Sequence, residues 1–354
     1  MNSANSTTSG LSVGSVIFKS MQSFLKKAAR IALHQMGGLA VLRRWHRSEF
    51  AVLMFHSFSE ADRANVEAIC SYISRHFEPV SLSDIVDSIQ QGKELPENAI
   101  AITIDDGYRN FLLHGHPIFR RYRINTTMYA VTGFSDGRLW LWPDQIEFGL
   151  LHTPNEFIRV IVNGEALELP LTNPQDRTES GSLLLESLKT IPNQQRIHFM
   201  ETFSALCRVE IPPQPPADRS AMSWEDLRAV TEEGVEIGCH TESHPIVSRL
   251  TDPIDLDREI RGAKQEMEER LGIPVRHFCY PNGRAIDVGQ AAIRCVRESG
   301  YDSAVTCTWG LNTLERDRFQ IRRTPFDSSV DFRYGIELLA GLHMQQSSAK
   351  SDGQ

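Results

Sequence analysis

Short apolar runs of strand length alternate with helical patterns along most of this chain, and that alternation restricts the fold more than any other feature. The first run, "EFAVLMFHSF", ends near His56. "AIAITI", "NTTMYAVTGF", "VEIGCH", "RHFCYP", "YDSAVTC" and "FQIRRTPF" follow it. Between them lie helical stretches such as "NFLLHGHPIFRRY", "SWEDLRAVTEEG", a charged run from Asp255 to Leu271, and "GQAAIRCVRESG". A repeated strand-then-helix rhythm predicts parallel strands with helices outside, as an open sheet or a barrel. The rhythm is lost once, between about residues 137 and 222. That stretch holds a hairpin-like "FIRVIVNGEALELP" with an Asn-Gly turn and a Pro-rich "IPPQPPADRS". Because the rhythm resumes afterwards, the stretch reads as an insertion between two strands and not as a separate domain.

The 354 residues suffice for one large domain or two ordinary ones. A formal net charge of −8 argues against a general nucleic-acid binder. The six cysteines form no CxxC pair, which argues against a disulfide framework and against a thiolate zinc site. No run of about 18 uncharged apolar residues appears, so no membrane-spanning helix is expected. Residues 1–48 read as an amphipathic basic helical segment, either packed on the domain or lying against an anionic membrane surface. No basic stretch precedes a continuous apolar one, so a cleaved signal peptide is not expected. The expected location is therefore the cytoplasm or the inner face of a membrane. Residues 49–340 form the expected domain, and 341–354 a disordered tail.

In such architectures catalytic groups gather where strands end. Three strand ends carry suitable chemistry. "AITIDDGYRN" delivers Asp105 and Asp106 into an Asp-Gly turn. "VEIGCHTESHP" places His240 and His244 four apart, a spacing that on one helical turn aims both imidazoles the same way. "HFCYPNGR" makes a tight polar turn at Tyr280, Pro281 and Asn282. Two histidines and a carboxylate from another strand suit a divalent metal with positions open for water and substrate. A second, adjacent carboxylate suits proton transfer, so the set suggests metal-assisted hydrolysis of an acyl group. His114 and His116, in "LLHGHP", are expected at the surface.

The segments "AVLMFHSF", "TIDDGYRN", "SWEDLRAVTEEGVEIGCHTESHPIVSRL" and "RLGIPVRHFCYPNGR" resemble, in order, the motifs of the polysaccharide deacetylase (NodB-like) family, carbohydrate esterase family four. The resemblance runs from about Val52 to Pro325, and the insertion and basic N-terminal segment resemble those of members associated with exopolysaccharide synthesis. It implies an irregular (β/α) barrel with fewer than eight complete units, and removal of N-acetyl or O-acetyl groups from a glycan. It assigns Asp105 as general base, and Asp106, His240 and His244 as ligands of a divalent metal. Zinc is the first expectation, with cobalt, nickel or manganese as alternatives. A backbone N–H of the Tyr280–Pro281–Asn282 turn becomes the oxyanion donor, and Thr241 ties down the histidine loop.

Two departures from the family pattern stand out. The arginine that pairs with the catalytic Asp is replaced at its aligned position by Cys279, leaving Arg276 or Arg284 to reach in. The late histidine that serves as general acid is replaced by Arg322 and Arg323, leaving His56 as the candidate, with His343 read as structural. Trp140, Trp142 and Trp309 are candidates either for stacking on sugar rings or for packing. The competing expectations are a cyclic amide hydrolase on the same fold and a catalytically impaired glycan-binding component of exopolysaccharide assembly.

Overall fold

The computed structural model describes residues 38–329. Most of the basic N-terminal segment, the C-terminal tail and His343 lie outside the described residues. The chain divides into two units between His46 and Arg47, and the described part of the first holds the helix Gly38–Trp45.

The second unit is built on eight short strands: β1 (Ala51–Phe55), β2 (Glu78–Pro79), β3 (Ala99–Ile104), β4 (Thr126–Ala130) and, after the hairpin strands β5 (Phe157–Val162) and β6 (Glu165–Pro170), β7 (Glu236–Cys239), β8 (His277–Cys279), β9 (Ser303–Val305) and β10 (Thr324–Pro325). All ladders among the eight are parallel, in the order β10-β1-β3-β4-β7-β8-β9, with β2 paired to the start of β3. Every residue of β1, β3 and β4 is buried, as expected of parallel strands covered on both faces. The segment Ile321–Pro325 closes the ring: Ile321 bridges Val305 of β9, and β10 pairs with Leu53 and Met54 of β1.

Local sequence starts and stops the outer helices. Ser81 and Ser223 cap the helices Leu82–Gln91 and Trp224–Glu232, each in a reciprocal box with an Asp three residues on. Gly92 and Gly272 end the helices before them in the left-handed conformation. The charged helix begins at Pro253–Asp257, passes through a π-helical turn at Arg258–Gly262 and continues as Ala263–Leu271.

The insertion between β4 and β7 has its own core. Its hairpin buries alternate residues Ile158, Val160 and Val162 against Ile146, Leu184 and Phe203 of the helices Trp142–His152, Pro174–Leu188 and Asn193–Cys207.

Candidate active site

β3 ends by hydrogen-bonding the Asp105 N–H to the Phe55 carbonyl, after which Asp106 (φ 74°) and Gly107 (φ 84°) turn the chain through left-handed backbone. The two neighbouring carboxylates therefore diverge. Asp106 Oδ1 lies 3.4 Å from His240 Nε2 and 3.3 Å from His244 Nε2. One ligand atom from each of the three residues falls within 4.8 Å of the others.

The histidines do not sit on a helical turn, contrary to the expectation from their spacing. They belong to an irregular loop after β7 in which Thr241 (φ 71°) and His244 (φ 57°) are both left-handed. Such backbone is costly for residues other than glycine and persists only where surroundings hold it. Here the tethers are explicit. Thr241 Oγ1 accepts from the His244 N–H at 3.0 Å, and Thr132 and Gly133 donate to the carbonyls of Thr241 and Glu242. Gly133 is required for that approach, since a Cβ there would stand 2.8 Å from the Glu242 carbonyl oxygen. Glu259, buried in the π-helical turn, accepts from the N–H groups of Glu242 and Ser243 at 3.0 and 2.9 Å and from Ser243 Oγ. Trp142 of the insertion donates its indole N–H to the His244 carbonyl at 3.0 Å, and the Arg196 guanidinium lies 4.9 Å over its ring.

The donor set fits a divalent cation. His240 Nδ1 donates to the Cys279 carbonyl at 2.8 Å, which leaves Nε2 free to offer its lone pair toward Asp106. Burial holds the His244 imidazole below its usual pKa, against the opposing pull of Asp106, so the ring is neutral. Burial also pushes the Asp106 carboxyl up, but the neighbouring His240 and His244 outweigh it and hold that group well below the usual range.

Asp105 points the other way, into the barrel. Arg323 Nη1 and Nη2 meet its Oδ1 and Oδ2 at 2.6 and 2.7 Å, with both side chains buried. Nη1 also donates to Thr103 Oγ1, and Nε to the Thr306 carbonyl. Burial drives the Asp105 carboxyl up, yet the Arg323 charge and hydrogen bonds prevail and the group stays ionised. Cys279 Sγ touches both partners, 3.5 Å from Asp105 Oδ2 and 3.2 Å from Arg323 Nη2. The arginine expected from β8 thus comes from the strand that closes the ring.

Neither alternative reaches Asp105. Arg276 precedes β8, at the opposite end of the strand, and pairs with Asp87 and Asp302. Arg284 pairs with Asp287 at 2.6 Å and with Glu186 at 2.7 Å. Arg323 was visible in the sequence only as an arginine inside a strand-length apolar run.

In the Tyr280–Gly283 turn, the Tyr280 hydroxyl donates to the Phe319 carbonyl, so its ring is core. The Tyr280 N–H goes to the Val305 carbonyl and the Gly283 N–H to the Pro281 carbonyl. Proline has no N–H, which leaves Asn282 as the residue of the turn whose backbone donor has no partner among the described residues. The Asn282 side chain bonds Asp287.

His56 follows β1, half-exposed, with Nε2 3.9 Å from Asp105 Oδ2. It lines a cleft of about 470 Å³ together with Asp62, Asp106, Asn110, Asp144 and Arg219. Tyr108 donates to Asp144 Oδ2 and Arg219 to Oδ1, both at 2.8 Å. Burial still lifts the Asp144 carboxyl to about 6. Asp144 belongs to the insertion, so the insertion supplies one wall of the cleft.

Trp140 and Trp142 are buried and offer no stacking face, while Trp309 is 37% exposed. His114 faces Glu60, but His116 is buried and bonds Glu233 at 2.8 Å, contrary to the surface position expected for it.

Residues 206–304 match the family described as polysaccharide deacetylase. The poly-beta-1,6-N-acetyl-D-glucosamine N-deacetylase of Escherichia coli (strain K12) is 28% identical over 89 residues, which is 22% of this chain and 13% of that protein. The Streptococcus pyogenes deacetylase PplD, solved in complex with acetate, superposes with a TM-score of 0.53 at 12% identity, covering 82% of this chain and 98% of PplD. IcaB from Ammonifex degensii superposes with a TM-score of 0.52 at 14% identity, covering 83% of this chain and 97% of IcaB. The structural likeness concerns the fold, and the matched sequence carries His240, His244 and the Tyr280–Gly283 turn. Residues 206–304 are thus similar to the polysaccharide deacetylase family, and the fold around them is similar to that of solved deacetylases.

Proposed function

We propose that this protein hydrolyses acetyl groups, N-linked in the first instance, from a polymer of N-acetylhexosamine, with a divalent cation held by Asp106, His240 and His244. The observation that carries the reading is the pairing of that three-residue donor set with an adjacent carboxylate kept ionised by a buried arginine. The polymer class rests on the name of the Escherichia coli relative.

A cation in that donor set, zinc first, supplies a Lewis acid that acidifies water and polarises an acyl carbonyl. Asp105 is the general base: it takes a proton from the attacking water, and Arg323 keeps it ionised and aligned. The Asn282 backbone N–H donates to the developing oxyanion. His56, beside Asp105 at the cleft mouth, returns a proton to the leaving amine as the C–N bond breaks, giving acetate and a free amine. Thr241, Glu259 and Trp142 hold the histidine loop against its backbone strain. The insertion at 137–222 walls the cleft through Asp144.

The test combines metal analysis with acetate release from a panel of acetylated glycans. The purified protein carries about one divalent metal per chain, chelation abolishes turnover, and Asp105→Asn keeps the metal but loses activity. Full activity in metal-free protein would overturn the mechanism.

A further inference from the structure

Charge is distributed unevenly along the chain. Residues 1–48 hold seven of its 37 Lys and Arg residues and none of its 45 Asp and Glu residues, so +7 there stands against −15 in the remainder. A basic stretch of this kind on an acidic protein marks a segment that meets an anionic surface or a polyanion. The large apolar residues decide between the two. Phe24 and Leu25 precede Lys26 and Lys27, Ile31 and Leu33 follow Arg30, and Val41 and Trp45 flank Arg43 and Arg44. A nucleic acid is held by the charges alone, whereas apolar side chains set among them suit a lipid headgroup boundary.

Within this segment the helix Gly38–Trp45 shows which side chains face solvent. Leu39 is buried, while Val41 and Trp45, four residues apart and therefore on one face, are 65% and 81% exposed. No other large apolar side chain among the described residues is as exposed as Trp45. Arg44 is exposed beside it, in the last turn.

An indole left in water forgoes the gain of burial. At a bilayer it recovers that gain, because the ring enters the apolar side of the headgroup boundary while its N–H stays near water. Arg44 can lay its stem along the same boundary and keep its guanidinium at the lipid phosphates. Eight residues rise about 12 Å, far less than a hydrocarbon core of about 30 Å, so this helix can lie on a bilayer but not cross it.

We propose that residues 1–48 dock the protein on an anionic lipid bilayer, with Val41 and Trp45 in the headgroup region and Arg44 and its basic neighbours against the lipid phosphates. The inference goes beyond the hydrolysis of acetyl groups and does not depend on it.

The test is flotation of the full-length protein with vesicles of phosphatidylcholine, alone or mixed with phosphatidylglycerol. Binding to the mixed vesicles is about tenfold tighter than to the neutral ones, since each basic residue near the surface adds to the attraction. It weakens as salt is raised. Trp45→Ser, and separately Arg44→Glu, each lower the affinity for mixed vesicles by about tenfold. The circular dichroism spectrum and denaturation midpoint stay unchanged, as expected at exposed positions. Equal binding to both kinds of vesicle, binding unmoved by both substitutions, or no vesicle binding would overturn the proposal. So would either result that gives the face another occupant: dimerisation abolished by Trp45→Ser, or binding of double-stranded DNA, without binding of vesicles.

Discussion

Arg323 and Asp105, 218 residues apart in the chain, form a two-pronged ion pair inside the barrel, with N–O distances of 2.6 and 2.7 Å and almost no exposure of either side chain. Breaking a buried pair from one side leaves an uncompensated charge and costs about 3–5 kcal/mol. Arg323→Met should therefore destabilise the protein by about that amount in denaturant titration. Combining it with Asp105→Asn should cost less than the sum of the two single changes, because no buried charge is left unpaired. Additive losses would mean that the two residues are not coupled.

The same pair sets a pH dependence. Arg323 holds the Asp105 carboxyl below its ordinary 3.8, so the stabilisation is full above that value and is lost as pH falls through the lower, folded-state pKa. The stability gap between wild type and Arg323→Met should therefore narrow below about pH 4. Without the arginine, the main influence opposing burial is gone, only His240 and His56 still pull the carboxyl down, and it rises. The acid limb of the kcat/KM profile should then move to higher pH in Arg323→Met, and an unmoved limb would exclude Asp105 as the base.

Cys279 Sγ lies within 3.5 Å of Asp105 and 3.2 Å of Arg323, so β8 already points at the carboxylate. In an Arg323→Ala background, Cys279→Arg should restore part of the lost stability and acetate release. Cys279→Arg in the wild type should be destabilising, since it sets two guanidinium groups against one carboxylate. Recovery in neither property would show that only the closing strand gives a workable geometry.

Trp142→Phe keeps the ring but deletes the donor to the His244 carbonyl. Outer partners of metal ligands typically contribute 10–100-fold to metal affinity. Calorimetric titration should show a loss in that range, at a stability cost of about 1–3 kcal/mol for the unpaired carbonyl. Glu259→Leu, which removes the acceptor of two N–H groups, should act in the same direction. Unchanged metal affinity in both variants would remove the insertion and the π-helical turn from the site.

Asp144 has its carboxyl raised from 3.8 to about 6, mainly by burial. The folded state therefore binds its proton more tightly than the unfolded chain does, and stability falls as pH rises from 3.8 through 6. Asp144→Asn does not titrate. The stability of wild type relative to this variant should fall by up to roughly 3 kcal/mol between pH 4 and pH 7. A difference that stays flat over that interval would refute the raised value.

The parallel strands were legible because each is a short apolar run whose neighbours in sequence are amphipathic. Asp105–Asp106, His240, His244 and the Tyr280–Gly283 turn were legible because each falls where such a run stops. These are local signals. The source of the Asp105 counter-charge was not local: residue 323 reaches residue 105 only because the last strand closes the ring, and nothing near Asp105 in sequence encodes that closure. The left-handed backbone at Thr241 and His244 was also hidden, since a four-residue spacing reads as a helical turn until Glu259, Gly133 and Trp142 hold the loop otherwise. Sequence alone determined which side chains stand at the strand ends. Tertiary structure decided which buried charge keeps Asp105 ionised and which tethers hold the histidines, because buried charges and strained backbone persist only where distant groups meet them.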